Sequence, residues 1–295
     1  MTGLGGRAGR SWTGYAYVAP ALLLVGVVVY GGIAYNAYVS SLRWNGISPT
    51  HTVVGLANYQ TALADPVVRS AYLHAALFAA VTISTQMLLG LGMALLLSRP
   101  SRLNPLFTAV LFLPVVMAPA AVSTAFRQIL APDGQLNAAL AGAGLSGLRQ
   151  AWLSDPRLAL LSLAAVNIWQ WTGLSFVLYQ AALTQISVDH LEAAQIDGAS
   201  LWRTVRHIVV PQLRGTHVTL VVLGLIGSIK TFDLVFLTTG GGPARATELP
   251  ATYIYQQTVE RFNAGYGATL SMLLLAVSVL VTVLQRLPAW VRRRA

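Results

Sequence analysis

The chain has 295 residues, of which 55% are hydrophobic and only 9% are charged, and it contains no cysteine. A water-soluble domain carries about 25% charged residues, so this composition excludes an ordinary soluble protein, and the missing cysteine excludes disulfides, thiolate metal sites and cysteine nucleophiles. The formal net charge of +10 comes from 18 arginines and one lysine that lie mainly in short loops and tails, a pattern that indicates membrane orientation and argues against a nucleic-acid-binding face.

Six apolar runs are long enough to cross a bilayer, which takes roughly 20 residues. The first follows Arg7 and Arg10 and is longer than the apolar core of a secretory signal. Because it also lacks a convincing small-residue cleavage site, we expect a retained span. The sequence therefore predicts an all-α protein, an integral membrane bundle of six transmembrane helices. The predicted spans cover about residues 15–40, 71–98, 106–130, 158–182, 216–238 and 268–287.

Arginine counts set the expected orientation, because basic residues accumulate in short cytoplasmic loops. If both termini are cytoplasmic, the inner segments hold 11 arginines and the outer segments hold 6. We therefore expect a cytoplasmic N-terminal tail at 1–14, a transmembrane domain at 15–287 with a cytoplasmic loop at 183–215, and a basic cytoplasmic C-terminal tail at 288–295. The inner set is Arg7, Arg10, Arg99, Arg102, Arg203, Arg206, Arg214, Arg286, Arg292, Arg293 and Arg294, and the outer set is Arg43, Arg69, Arg149, Arg157, Arg245 and Arg261.

Polar residues interrupt the third and fourth predicted spans. Arg127 lies near the outer end of the third span, where it can reach lipid headgroups or line an entrance. The fourth span carries Asn167, Gln170, Trp171 and Thr172. An aromatic ring beside amide and hydroxyl groups suits a sugar. The alternative is ordinary helix packing with interhelical hydrogen bonds, and the sequence leaves both interpretations open.

The cytoplasmic loop between the fourth and fifth spans is too long for a simple connector. From Asp189 it reads DHLEAAQIDGASLWRTVRHIVVPQLRG. Asp189 is predicted to cap a helix that Gly198 ends. A second helix is predicted from Ser200 to about Val210, with Pro211 beginning the turn into the next span. The pattern thus predicts two helices joined by a tight turn, with little side-chain bulk at the corner.

Lys230 and Asp233 are ionisable residues inside the fifth predicted span, with Thr231 between them. Three residues apart on a helix, the two charges would share one face. Because each charge costs roughly 2.5 to 3.5 kcal/mol at the centre of a span, two interpretations stay open: the charges neutralise one another, or they contact a substrate. A cationic lysine suits an acidic or phosphorylated ligand as well as a neutral sugar.

No residue pattern of an enzyme is present. Lys230 is the only lysine and follows Ile229, so the sequence has no Gly-Lys-Ser/Thr phosphate-binding loop. The Gly240-Gly241-Gly242-Pro243 run is predicted to form a tight outer turn. The five histidines have no metal-binding spacing, and no serine, histidine and carboxylate set converges. We therefore expect no metal and no catalytic site.

Several motifs resemble a known family. Glu192-Ala193-Ala194, followed by Gly198, Ile208 and Pro211, resembles the EAA loop of the membrane subunits of ABC importers. Other stretches resemble the MalF- and UgpA-like carbohydrate-uptake branch of these binding-protein-dependent systems. Those stretches are Gly55-Leu56-Ala57-Asn58-Tyr59, Trp169-Gln170-Trp171-Thr172-Gly173, Thr239-Gly240-Gly241-Gly242-Pro243 and Gly265-Tyr266-Gly267-Ala268.

The resemblance implies a function and a set of partners. In that family two permease subunits form the pore, a pair of cytoplasmic ATPases drives it, and an extracytoplasmic solute-binding protein delivers substrate. By resemblance this chain is one permease subunit in a bacterial cytoplasmic membrane, surrounded by membrane lipid and paired with a MalG- or UgpE-like second permease. The expected solute is a sugar or sugar-like molecule, such as an oligosaccharide, a polyol or a glycerol phosphate. No cofactor is expected on this chain, since ATP and Mg²⁺ belong to the ATPase.

The resemblance also implies roles for individual residues. In the family the EAA helix couples the permease to the ATPase by sitting in a cleft on it. The residues implied in that coupling are Glu192, Ala193, Ala194, Asp197, Gly198, Ile208 and Pro211. The candidate substrate-pathway residues are Asn167, Gln170, Trp171, Lys230, Thr231 and Asp233, of which Asn167, Trp171 and Lys230 align at or beside sugar contacts of the maltose relative.

Other interpretations compete with these expectations. The loop can be a solvated amphipathic segment in which Gly198 is only a helix cap. A secondary transporter would move solute without an ATPase, and its EAA loop would have no role. A membrane-embedded enzyme is the third possibility, and the absence of a catalytic constellation argues against it.

Overall fold

The computed structural model describes residues 12–98 and 101–291. Apart from one pair of two-residue strands, these residues form helices, turns and short connections, which confirms the predicted all-α class. The elements are α1 Trp12–Leu24, a π-helical segment Val25–Tyr30, α2 Gly31–Ser40, β1 Leu42–Arg43, β2 Thr52–Val53, α3 Ala57–Ala64, α4 Pro66–Leu96, α5 Asn104–Val116, α6 Pro119–Ile129, α7 Gln135–Gly142, a 3₁₀ turn Ser146–Leu148, α8 Ala159–Leu183, α9 Val188–Ile196, α10 Leu201–Thr204, a π-helical segment Val205–Val209, α11 Val210–Gln212, α12 Arg214–Lys230, α13 Asp233–Thr238, α14 Pro250–Tyr255, a π-helical segment Gln256–Glu260 and α15 Ala264–Val291. Of the predicted tails, residues 1–11 and 292–295 lie outside the described residues.

The membrane spans are of two kinds. Four described helices are long and apolar enough to cross a membrane without a break: Tyr17–Ser40, Pro66–Leu96, Ala159–Leu183 and Ala264–Val283. Two bent helix pairs, Asn104–Val116 with Pro119–Ile129 and Leu201–Gln212 with Arg214–Lys230, also pass the test when each pair is taken as one span, which gives up to six. The second pair begins inside the loop predicted to be cytoplasmic, so only its second helix falls in the predicted fifth span at 216–238. The last helix, α15, continues to Val291, so the start predicted for the C-terminal tail at 288 falls within a helix.

The third predicted span, 106–130, is broken in its middle. α5 and α6 meet at an angle of 93° across Met117 and Ala118. Pro119 takes the first position of α6. Proline lacks a backbone N–H and drives the residue before it into an extended conformation, as Ala118 shows at ψ 129°. The prediction of one continuous helix is therefore wrong here, and Pro119 is the sequence feature that marks the break.

The fifth predicted span, 216–238, is also broken. α12 ends at Lys230 because Thr231 is extended, at φ −60° and ψ 115°, and its Oγ1 donates to the Gly227 carbonyl oxygen at 3.0 Å. A hydroxyl bonded back to the helix competes with the helical hydrogen bonds. Lys230 and Asp233 consequently lie on different helices, α12 and α13, so the prediction that they share one helix face is wrong. Both side chains are exposed, and they form no ion pair with each other in the described part of the chain.

The chain divides into two compact units. The first comprises residues 1–62 and 257–272 and holds α1, α2, the strand pair, α3 and the start of α15. The second comprises residues 63–256 and 273–295 and holds α4 to α14 with the rest of α15. The predicted coupling residues and the predicted substrate-pathway residues all lie in the second unit.

In the first unit, two of the recognised motifs hold the turn that follows α2. The side-chain amide of Asn58 donates to the carbonyl oxygens of Ser40 at 2.9 Å and Leu42 at 2.8 Å. The backbone N–H of Gly265 donates to the Trp44 carbonyl at 3.0 Å, and a Cβ at Gly265 would overlap the Leu42 carbonyl oxygen. The asparagine and this glycine are therefore explained by contacts to backbone within this unit.

In the second unit, α4 is the central packing element. Its buried positions recur every three or four residues and face α8 and α12. Small residues allow close approach: an added Cβ at Gly90 would lie 2.7 Å from the Ser175 Cβ of α8, and one at Gly224 of α12 would lie 2.5 Å from Ile83 Cγ1. The buried positions of α4 are Val68, Ala71, Ala75, Phe78, Ala79, Thr82, Ile83, Gln86, Gly90 and Ala94.

Candidate functional site

The loop between α8 and α12 folds into two helices joined by a tight turn, as predicted; we call residues 188–212 the helical hairpin. Its first helix is capped by Ser187, whose Oγ accepts from the Asp189 N–H at 3.3 Å. The prediction that Asp189 is the cap is therefore wrong. Both residue types cap helices, and the cap lies two residues earlier than the sequence suggested, so the helix begins at Val188.

The turn of the hairpin is a Schellman motif centred on Gly198. The Gly198 N–H donates to the Gln195 carbonyl at 3.0 Å, and the Ala199 N–H donates to the Ala194 carbonyl at 2.9 Å. Gly198 has φ +71°, the left-handed region that glycine adopts at least cost. The predicted helix stop at Gly198 is thus confirmed, and its reason is the backbone conformation of the turn.

The second helix of the hairpin runs from Leu201 to Gln212, through a π-helical segment at Val205–Val209. It meets α12 at 65°, with Leu213 as the only residue between them. The predicted end near Val210 and the turn at Pro211 are therefore displaced by two residues. Pro211 is tolerated inside the helix because the preceding π-helical turn has already changed the hydrogen-bond register.

A cleft of about 580 Å³ lies between the two hairpin helices. It brings together many of the residues predicted to couple, while Glu192 and Gly198 lie outside it and are exposed. His190 and Gln212 approach across it, with His190 Nδ1 and Gln212 Nε2 at 3.4 Å. The cleft is lined by His190, Ala193, Ala194, Asp197, Ala199, Arg203, Thr204, His207, Ile208, Pro211 and Gln212.

An exposed apolar crest flanks the turn, and sequence reasoning missed it. Ile196 is 87% exposed, Leu201 78% and Trp202 69%. The sequence did contain a sign of this surface, since large apolar residues stand on both sides of the glycine turn. Exposed apolar side chains grouped at a turn mark a surface that another protein covers.

The hairpin is anchored to the spans by a buried cluster. Val209 of the hairpin and Leu213, which follows it, pack with Phe176 and Tyr179 of α8, and Leu191 packs against the same cluster. The anchored side and the exposed crest are therefore different faces of one hairpin. The buried members of the cluster are Ala94, Phe176, Tyr179, Val209, Leu213 and Leu220.

Two of the predicted pathway residues have structural partners. Asn167 Oδ1 accepts from Gln86 Nε2 at 3.0 Å, which joins α8 to α4. Gln170 is buried, and its Nε2 donates to the Met117 carbonyl oxygen at 3.3 Å, at the break between α5 and α6. These contacts favour the helix-packing interpretation for both side chains. Neither partner was anticipated, because each lies far away along the chain.

Replacing Gln170 with leucine is expected to destabilise the protein by about 0.5 to 1.5 kcal/mol, because the hydrogen bond that joins α8 to the Met117 carbonyl is lost. Thermal unfolding in detergent measures the loss, and Gln180→Leu on the same helix is the matched control, since Gln180 is only partly buried and donates no side-chain hydrogen bond in the described chain. An unfolding temperature equal to that of the control variant would contradict the role given to Gln170.

The remaining pathway candidates lie on α8 and at the break after α12. Trp171 is partly buried, while the Thr172 hydroxyl donates back to the Ile168 carbonyl at 2.6 Å. Lys230, Thr231 and Asp233 border the break. Three partly exposed rings that sequence reasoning missed lie beside them: Phe232 and Phe236 stack with centroids 4.9 Å apart, and Tyr255 lies 5.3 and 4.7 Å from these two rings. The break thus places charges next to an aromatic cluster.

The predicted outer turn forms at Gly240 to Gly242 and surrounds a buried carboxylate. Glu248 accepts from Thr252 Oγ1 at 2.6 Å and from Gln256 Nε2 at 3.1 Å. An added Cβ at Gly241 would lie 2.9 Å from Glu248 Oε2, so the glycine makes room for the carboxylate. Within the described ranges, no three histidine or acidic side chains group in a way that would hold a metal ion.

Comparisons with known proteins agree on one family. Residues 86–295 match the family described as the binding-protein-dependent transport system inner membrane component. The chain is 32% identical over 268 residues to a probable ABC transporter permease of Pyrococcus horikoshii, covering 90% of this chain and 92% of the relative. It is 31% identical over 281 residues to the lactose transport system permease LacF of Rhizobium radiobacter, covering 92% of each.

A solved structure has the same fold. It is a bacterial alginate ABC transporter in complex with an alginate pentasaccharide-bound periplasmic protein, and one of its chains matches this chain with a TM-score of 0.80. The match covers 94% of this chain and 93% of that one at 19% sequence identity. At this identity the likeness concerns the fold.

Proposed function

The chain belongs to the family of binding-protein-dependent transport system inner membrane components, and we propose from this premise that it forms half of the translocation pore of an ATP-driven sugar importer. Family membership makes it a multi-pass membrane protein and a transport subunit rather than an enzyme. The second half of the pore is a MalG- or UgpE-like permease. An ATPase dimer, which holds ATP and Mg²⁺, and an extracytoplasmic solute-binding protein complete the importer.

The observation that carries the proposal is the helical hairpin between α8 and α12. It is anchored to α8 on one side and presents Gly198 and the apolar crest on the other. Because the crest residues are exposed in this chain, they suit a partner that covers them. The EAA residues lie at the same turn, so we assign this surface to the ATPase and place the hairpin in the cytoplasm, with both termini on that side of a bacterial cytoplasmic membrane.

The proposed solute class rests on the break after α12 and on the relatives. Phe232, Phe236 and Tyr255 offer aromatic faces beside the Thr231 hydroxyl and the charges of Lys230 and Asp233. Aromatic faces pack against the C–H patches of sugars, and polar groups bond their hydroxyls. One relative is named for lactose, and the transporter with the same fold is described with alginate, an acidic sugar polymer.

Lys230→Ala is expected to leave the unfolding temperature unchanged and to weaken transport of an acidic sugar roughly tenfold. The reason is that Lys230 is exposed in this chain and unpaired with Asp233, while a charge-assisted hydrogen bond to a ligand carboxylate contributes about 1.5 to 3 kcal/mol. Uptake of an alginate oligosaccharide and of lactose into proteoliposomes holding the complete importer measures the effect, with Lys230→Arg as the charge-retaining control. A loss of stability that Asp233→Asn restores would instead support mutual neutralisation of the two charges.

The function itself is tested by purification. The tagged chain is expressed with its genomic neighbours, extracted in detergent and captured, and ATP hydrolysis is measured with and without the solute-binding protein loaded with candidate sugars. Co-purification of an ATPase and a second permease, with hydrolysis raised by one loaded binding protein, is the expected result. A chain that purified alone and moved solute in response to an ion gradient would overturn the proposal.

A further inference from the structure

A chain of two hydrogen bonds links α8, α12 and the hairpin. The Tyr179 hydroxyl of α8 lies 2.7 Å from Nδ1 of His217, in the first turn of α12. The other ring nitrogen, Nε2, lies 3.2 Å from the carbonyl oxygen of Val210, in the last turn of the hairpin. The two rings also meet edge to face, with centroids 5.3 Å apart. One imidazole therefore touches all three helical elements.

The chemistry of the partners sets the proton positions. A backbone carbonyl only accepts, so Nε2 of His217 must carry the proton that is donated to Val210. In the neutral ring Nδ1 is then the acceptor, and the Tyr179 hydroxyl donates to it. In this arrangement the Tyr179 hydroxyl, both ring nitrogens of His217 and the Val210 carbonyl oxygen each take part in a hydrogen bond. Because Tyr179 is fully buried, loss of its bond to His217 leaves the tyrosine hydroxyl without this partner in an apolar cluster.

These two hydrogen bonds lie at the bend between the hairpin and α12, which we call the joint. The hairpin and α12 are separated by Leu213 alone and meet at 65°. One non-helical residue between two helices is a place where motion of one helix can be absorbed without moving the other. The His217 ring bridges this joint, since it is part of α12 and is bonded to Val210 on the far side of the bend.

We propose that His217, held by Tyr179, is a positioning residue that locks the end of the hairpin to α8 and α12, so that movement imposed on the hairpin reaches the spans. The proposal rests on the proposed function, in which an ATPase moves the hairpin. Tyr179 directs the imidazole and His217 fixes the bend. Neither residue contacts ATP or solute. Without the imidazole ring, the angle at Leu213 changes when the hairpin moves, and the movement is not transmitted to α8 and α12.

The test uses the absence of cysteine from the chain, which allows two introduced cysteines to carry spin labels. One replaces Arg206, exposed and outside the cleft lining, and the other replaces Leu161, exposed near the start of α8. The label separation is measured in the assembled importer in lipid nanodiscs, with and without ATP and vanadate. In the native background we expect one narrow separation in both states, because hairpin and α8 move together.

His217→Ala is expected to broaden the separation and to shift it by roughly 2 to 5 Å when ATP and vanadate are added, the scale of helix shifts at joints. His217→Gln, whose amide can still donate to Val210, should restore most of the native behaviour. Tyr179→Phe removes a single oxygen and should give an intermediate shift, and the double variant should be no worse than His217→Ala alone. A merely structural role would lower the amount of assembled importer without changing the separation.

The outcomes separate the two proposals. If His217→Ala and Tyr179→Phe assemble with the ATPase and keep the narrow, nucleotide-independent separation, the positioning role is overturned while the proposed function stands. If His217→Ala fails to assemble, Tyr179→Phe decides by the same criterion. If the native chain binds no ATPase, the proposed function is overturned, and the positioning role falls with it.

Discussion

Replacing Gly198 with valine is expected to abolish ATP-driven uptake and to leave the chain folded in the membrane. An added Cβ at this position meets no atom of this chain within 4 Å, so the substitution creates no internal overlap. The side chain is at the exposed tip of the hairpin turn, where it meets only what docks there. A β-branched residue at φ +71° also strains the turn, by about 1 to 2 kcal/mol.

The chain offers a matched control for this strain. Gly144 has φ +76°, no atom within 4 Å of an added Cβ, and the same pair of Schellman hydrogen bonds, from Gly144 to Ala141 at 3.0 Å and from Leu145 to Leu140 at 2.8 Å. It lies in the loop between the third and fourth spans, which the proposed orientation places outside the cell. Gly144→Val therefore carries the same backbone cost on the side that the ATPase does not reach.

Three measurements distinguish docking from strain: membrane level by immunoblot, ATPase capture by the tagged chain, and uptake in proteoliposomes. We expect Gly144→Val to retain capture and uptake and Gly198→Val to lose both, with uptake falling at least about tenfold, a coupling free energy of about 1.4 kcal/mol or more. Equal uptake by the two variants would remove Gly198 from the docking surface.

Gly173→Ala is expected to destabilise the packing of α5 against α8 strongly. A Cβ there would overlap the Leu111 carbonyl oxygen, lie 2.9 Å from the Leu111 carbonyl carbon and lie 3.1 Å from the Phe112 Cα. All three are backbone atoms, which cannot rotate away, so α5 must move off α8. Forced overpacking of this kind costs about 1 to 3 kcal/mol and more where backbone must shift.

Two glycines of α4 provide reference variants for the stability of Gly173→Ala. Gly92 has open space around an added Cβ, so Gly92→Ala should be neutral or stabilise by up to about 1 kcal/mol through helix propensity. Gly90, two residues earlier, would meet the Ser175 Cβ at 2.7 Å and the Phe176 nitrogen at 2.9 Å, so Gly90→Ala should destabilise. Detergent unfolding midpoints in the order Gly92→Ala, Gly90→Ala, Gly173→Ala from most to least stable are expected. A Gly173→Ala midpoint at or above that of Gly92→Ala would contradict the close approach of α5 and α8.

Local residue patterns were enough to predict the hairpin and most of the spans. The apolar runs, the glycine stop at Gly198 and the EAA spacing are all visible within about 30 consecutive residues, because hydrophobic length and turn conformation depend on neighbours along the chain. The break at Pro119 was not predicted, although a proline at that position is a local sign of one. The choice of Ser187 over Asp189 as cap was not visible locally, since both residues suit the position and only backbone geometry separates them.

The roles of polar residues inside the spans needed the tertiary structure. The residue types of Asn167 and Gln170 left sugar contact and helix packing both open, because their partners, Gln86 and the Met117 carbonyl, are 81 and 53 residues away. His217 attracted no prediction as an isolated histidine; its contact with Tyr179, across 38 residues, gives it a role.

By itself the sequence determined that this protein is a helical integral membrane protein and that it carries the loop of an importer permease. The first property follows from the length of the hydrophobic runs, and the second follows from local turn chemistry. Only the tertiary structure decided where the spans break, which amides are used in packing, and that one imidazole bridges the bend at Leu213. A polar side chain in a span has to find a partner, and whether that partner is a neighbouring helix or a solute depends on which residues folding brings within hydrogen-bond distance.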